Sequence, residues 1–105
     1  MQTQTSIFRA LGDPTRRAIY EKLVGEEATV STLTACFSVS QPAISQHLKI
    51  LRDAGLVRVR RAGREAHYGA GPEGLKPLFD WVAHYQEFWR TREAALKQVL
   101  KEIDG

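Results

Sequence analysis

Two hydrophobic rhythms alternate along the chain, one with a period near 3.6 and one with a period of two, and their order predicts the architecture. In TSIFRALGD, Ile7, Phe8 and Leu11 share one face of a short helix that Gly12 stops. Asp13 caps a second helix, PTRRAIYEKLVG, which turns Ala18, Ile19, Leu23 and Val24 toward the core and places Arg16 and Arg17 near its start. A third helix opens at Thr29 or Val30 and carries Val30, Leu33 and Phe37 as its apolar residues. After the tight turn SVS, Ser40 is the N-cap of a fourth helix, QPAISQHLKILRDAG, which tolerates Pro42 in its first turn and ends at Gly55. Two helices joined by so short a turn fit a helix-turn-helix.

Beyond Gly55 the period changes to two. In LVRVRRAGREAHYGA, Val57 and Val59 alternate with Arg58 and Arg60, Ala62-Gly63 marks a turn, and Ala66 and Tyr68 alternate with Glu65 and His67. This is the pattern of a β-hairpin with one face on the core and a basic face outward, His67 among the outward residues. From Pro72 or Leu75 a single long helix is expected to run to about Ile103, about 40 Å in length. The fold class expected is therefore mainly α with a small β-hairpin, a winged helix-turn-helix of order α-α-α-α-β-β-α. Residues 1–105 would form one domain, with 75–103 as a C-terminal dimerisation helix.

Charge sharpens the picture through its distribution. The net charge is only +3, yet between Lys49 and Arg64 six cations (Lys49, Arg52, Arg58, Arg60, Arg61, Arg64) face Asp53 alone. A positive field concentrated in this way suits a phosphate backbone. At 100° per residue, Ile44, Leu48 and Leu51 of the fourth helix fall within roughly 60° of one another and form its buried stripe. Pro42, Ser45, Gln46 and Lys49 lie opposite, with Gln41 exposed at the N-terminal end. Serine and glutamine are poor choices for a merely solvated helix face but present hydrogen-bond donors and acceptors suited to base edges in a major groove. Arg60, Arg61 and Arg64 surround the hairpin turn and would flank that groove, so double-stranded DNA is the partner expected.

Across FRALGDPTRRAIYEKL, VSQPAISQHLKILRDAGLV and RRAGREAHY, in this order and spacing, the chain resembles the ArsR-type winged helix-turn-helix repressors over nearly its whole length. The resemblance implies a homodimeric bacterial transcription regulator that represses by occupying an operator. It puts Gln41, Ser45, Gln46 and Lys49 on the recognition helix and Arg60, Arg61 and Arg64 on the wing. Many members of that family release DNA on binding a metal through two cysteines flanking one residue of the third helix. Here Thr29 and Ser31 stand at those places, and neither hydroxyl replaces a soft thiolate. A second family site uses Asp and His of the last helix; Asp80, His84 and Glu87 stand at i, i+4 and i+7, but the family's Asp-x-His spacing is missing, and the three are read as surface polar residues. His47, beside the Ile44–Leu48 stripe, is read as packed or bonded to backbone. No cofactor is expected, and no small-molecule effector is legible.

The single cysteine, Cys36, cannot form an internal disulfide; its apolar neighbourhood reads as core, and a reducing, cytoplasmic setting is expected. The start, MQTQTSIFRALGDP, has neither a basic leader nor a long apolar run, and no membrane association is expected. In the last helix Leu78, Val82, Tyr85, Trp89, Leu96, Val99, Leu100 and Ile103 follow one stripe, and Phe79, Trp81 and Phe88 lie partly off it, so the helix has more than one apolar side. A domain of this size cannot cover both, and a second copy can. The alternatives are a metal- or redox-responsive derepressor of the same fold and, from a different class, a protein-binding adaptor that uses the aromatic helix. An enzyme is not expected, since no nucleophile with an evident base and no phosphate-cradling glycine loop stands out.

Overall fold

The structure is a computed structural model that describes residues 3–104, Pro72 by its backbone alone. Helices α1 (Gln4–Gly12), α2 (Pro14–Gly25), α3 (Val30–Phe37) and α4 (Gln41–Asp53) precede strands β1 (Val57–Ala62) and β2 (Glu65–Ala70). A 3-10 turn over Pro72–Leu75 leads into helices α5 (Lys76–His84) and α6 (Gln86–Asp104).

The first four helices begin where a side chain can accept from amides that the helix itself leaves unpaired. Thr3 and Ser6 do so reciprocally, at 3.1 and 3.0 Å. Asp13 Oδ2 accepts from the Arg16 amide at 2.9 Å, Thr29 Oγ1 from Thr32 at 3.2 Å, and Ser40 Oγ from Ala43 at 3.2 Å. Arg16 and Arg17 start α2 but serve the end of α1. Arg16 Nε donates to the Ala10 carbonyl at 2.6 Å and Nη2 to that of Arg9 at 3.0 Å, while Arg17 Nη1 donates to Leu11 at 2.8 Å. Two cations thus close a helix end whose dipole is negative.

One core joins the helices: Ile7 of α1, Ile19 of α2, Leu33 of α3, and Ile44, Leu48 and Leu51 of α4 are essentially sealed from solvent. The turn between α3 and α4 is made by Ser38, whose φ of 53° lies in the left-handed region. Gly55, at φ 79°, ends α4 in a Schellman motif, with the Leu56 amide bonded to the Leu51 carbonyl at 3.0 Å and the Gly55 amide to Arg52 at 2.9 Å. β1 and β2 pair antiparallel from Val57↔Ala70 to Ala62↔Glu65 around Gly63, and Ala28 exchanges two backbone bonds with Tyr68 on the free edge of β2, at 3.0 and 2.8 Å. The hairpin is therefore tied to the corner between α2 and α3. At its other end the Gly71 amide bonds the Leu56 carbonyl at 2.9 Å, and Gly74 lies so close to Gly55 that a methyl group there would overlap the Gly55 carbonyl oxygen.

Three expectations need correction. The long C-terminal helix is two, so the order is α-α-α-α-β-β-α-α: α5 tightens at its end, with the Tyr85 amide bonded to Val82 three residues back at 3.0 Å, and Tyr85 then accepts from Trp89 at 3.2 Å as α6 begins. No proline or glycine marks that break. Phe8 and Val24 are exposed rather than core, because Ala10 takes the inner position on α1 and Tyr20 that on α2; Phe8 packs edge-on against Trp81 of α5 with ring centroids 5.3 Å apart. Cys36 is exposed, since α3 fully buries only Leu33 and Cys36 falls on its open side.

None of the described residues of α5 or α6 is buried, and the molecule is drawn out to 67 × 30 × 21 Å. Among the described residues no helix is long and apolar enough to cross a membrane.

Candidate nucleic-acid interface

Helix α4 divides cleanly. Ile44, Leu48 and Leu51 are at most 1% exposed, whereas Gln41, Pro42, Ser45, Gln46 and Lys49 all face solvent. Anchoring by three large aliphatic residues fixes the helix's rotation about its axis, so the polar face has one orientation. Lys49 Nζ lies 2.8 Å from Asp53 Oδ2, an open i,i+4 pair worth only about 0.3–0.5 kcal/mol and readily exchanged for another anion. His47 is half-buried with Nδ1 3.4 Å from Arg16 Nη1, so it meets the α1–α2 corner rather than a backbone group.

Between α4 and the hairpin lies a cleft of about 330 Å³ lined by Ser45, Leu48, Lys49, Arg52, Asp53 and Tyr68. Tyr68 thus marks the side of the hairpin that looks toward α4. Side chains alternate faces along a strand, and Tyr68 pairs with Val59 while Ala66 pairs with Arg61. Arg61 therefore shares the α4 side, and Arg60, paired with His67, is on the other. Arg64 sits in the turn itself, and Arg61 and Arg64 are both exposed.

Here the structure separates residues that the sequence grouped. Arg60 is not at the tip but is held from behind: its Nη2 donates to Glu27 Oε1 at 2.7 Å, and its Nε lies 3.3 and 3.4 Å from the two carboxylate oxygens. The hydrogen bond from Arg60, and then its charge, hold the Glu27 carboxyl below the ordinary value of 4.5, and the same pairing raises Arg60. His67 shares the outward face with Arg60 but is half-buried there, with Nε2 3.4 Å from Glu65. Glu27 and Tyr68 were not singled out from the sequence as parts of this region. Glu27 carries no local signal, but the opposite facing of Arg60 and Arg61 could have been read from strand alternation alone.

Asp80, His84 and Glu87 are divided between α5 and α6, and Asp80 is bonded to Lys76 at 2.8 Å. Among the described residues no three or more His, Cys, Asp or Glu side chains converge as a metal ion would require. In α5 and α6, Phe79, Val82, Tyr85, Trp89, Leu96 and Leu100 are all exposed. At the α5–α6 bend, Trp81, Val82, Tyr85, Phe88 and Trp89 line an open apolar hollow of about 420 Å³.

A helix-turn-helix domain profile matches residues 11–60. The chain is 46% identical over 93 residues to the HTH-type transcriptional regulator Rv2034 of Mycobacterium tuberculosis, covering 89% of this chain and 84% of that protein. It is 32% identical over 80 residues to the transcriptional repressor SdpR of Bacillus subtilis, covering 76% of this chain and 89% of that one. Among solved structures, an ArsR-like transcriptional regulator from Rhodococcus sp. RHA1 superposes with a TM-score of 0.73 at 35% identity over 90% of each chain.

Proposed function

Because this chain belongs to the ArsR family of winged helix-turn-helix transcriptional regulators, we propose that it is a sequence-specific repressor that binds double-stranded DNA as a homodimer. It is a regulator and not an enzyme, as its family is. The observation that carries the reading is the divided face of α4, where Gln41, Pro42, Ser45, Gln46 and Lys49 stand exposed on a helix whose opposite side is sealed. Gln41, Ser45 and Gln46 supply donors and acceptors for base edges in the major groove, and Lys49 exchanges Asp53 for guanine or phosphate. Arg61 and Arg64 meet the flanking backbone from the wing.

Dimerisation rests on α5 and α6, most of whose apolar residues stay exposed on one chain. An isologous contact through Phe79, Val82, Tyr85, Trp89, Leu96 and Leu100 would set two copies of α4 about one DNA turn apart, about 34–36 Å, and read an inverted repeat. The test is selection of bound DNA from a random pool. A palindromic product is expected from the native chain, and Gln46→Ala with Lys49→Ala should lose sequence preference while keeping the helical spectrum. A chain that enriches no sequence, or a double variant that selects the same one, would overturn the reading.

A further inference from the structure

Glu27 lies in the link between α2 and α3, yet it reaches across the wing. Ala28 pairs with Tyr68, so antiparallel register places Glu27 opposite Gly69, the next residue of β2. Gly69 has no side chain, and the Glu27 chain runs over it: a Cβ built on Gly69 would sit 3.2 Å from Glu27 Cγ and 3.6 Å from Oε2. Beyond Gly69 the carboxylate meets Arg60 on β1, with the closest contact at 2.7 Å. Arg58 and His67 face the same carboxylate from the same side of the hairpin. Three elements, the α2–α3 link, β2 and β1, are thereby joined by one side chain on the face turned away from α4.

We propose that Glu27 is a positioning residue for DNA recognition: it fixes the wing against the α2–α3 corner and withholds Arg60 from phosphate, leaving Arg61 and Arg64 as the wing's DNA contacts. The inference rests on the DNA-binding reading above and adds the division of labour within the wing. An arginine kept on Glu27 neutralises no phosphate and so displaces none of the counterions condensed on DNA, and Arg60 then adds nothing to the salt dependence of binding. Its role is to orient the strand that carries Arg61.

The test measures operator affinity of the full chain against salt concentration for the native protein, Arg60→Gln, Glu27→Gln and the double variant. Each phosphate contact contributes about 0.9 to the slope of log affinity against log salt. Arg60→Gln is expected to leave the slope of the native protein unchanged. Glu27→Gln frees the guanidinium and is expected to steepen the slope by up to about 0.9, with a smaller ratio of operator to random-DNA affinity, and Arg60→Gln in that background should remove the increment. Amide exchange at Tyr68 in the free protein should quicken in Glu27→Gln. Should Glu27→Gln fail to fold, Glu27→Asp, which keeps the charge but shortens the reach, should give the same steepening. A slope flattened by about 0.9 in Arg60→Gln alone, or one unmoved in Glu27→Gln, would overturn the proposal. In both cases the native protein binds its operator normally; a native protein that binds no DNA overturns the underlying function instead, and this inference with it.

Discussion

Ser38 and Gly74 occupy backbone positions that decide what may replace them. Ser38 holds φ 53° with a side chain that this region disfavours, at the turn between α3 and α4. Ser38→Gly is expected to be neutral or to stabilise by up to about 1 kcal/mol, read from the urea midpoint at unchanged slope. Gly74 is the reverse case. A methyl group there meets the Gly55 carbonyl and lies 3.0 Å from Leu56 Cα, backbone atoms that cannot rotate away. Gly74→Ala should cost about 1–3 kcal/mol and lower the thermal midpoint, although alanine is the better helix former. Neither position announces itself in the sequence: a serine and a glycine in turns are ordinary, and the constraint comes from what the fold brings beside them.

At the scale of elements, punctuation was the legible part. The starts of α2 and α4 follow from Asp13-Pro14 and from Ser40 with Pro42, and Gly55 ends α4 where its left-handed φ is needed. Ser40→Ala, which removes the acceptor for the Ala43 amide, should cost about 0.5–2 kcal/mol in chemical unfolding. Asp13 and Glu27 give the acid limb its sign. The Arg16 amide lowers the Asp13 carboxyl below 3.8, and Arg60 lowers Glu27 below 4.5. Both are depressed in the folded chain, so their stabilisation is complete above those ordinary values and is lost as pH falls through the lowered ones. Asp13→Asn, which keeps a capping oxygen but not the charge, should flatten the stability–pH curve below pH 3.8 in acid titrations followed by circular dichroism. Two features stayed hidden for physical reasons. The break at Tyr85 has no helix-breaking residue to betray it, and the Glu27–Arg60 pair spans 33 positions and depends on the register that Ala28 sets with Tyr68.

At the scale of the molecule, hydrophobic periodicity located the core in the first four helices and left the aromatic C-terminal segment in surplus, which is how the structure disposes them. Orientation was less accessible. Period alone put Phe8, Val24 and Cys36 inward, but each helix packs through one narrow stripe, and these residues flank it. A 19-residue helix with every described side chain exposed is not expected to persist alone. Sedimentation at micromolar concentration should give twice the 11.8 kDa of one chain. Trp89→Glu, which sets a charge among the exposed aromatics, should shift the mass to the monomer and lower operator affinity at least tenfold while leaving the first four helices folded.

The contact between Gly74 and Gly55 has a mechanical consequence. It presses the root of the α5–α6 arm onto the turn that ends α4, main chain on main chain, with no flexible side chain between them to act as a cushion. Within that arm the 19 residues of α6, about 28 Å of helix, turn each degree of tilt into about 0.5 Å of travel at the far end. In the proposed dimer, the distance between the two copies of α4 would be calibrated at this joint, and bulk introduced there would detune the span of operator the pair could bridge while leaving the exposed polar face of α4 in place.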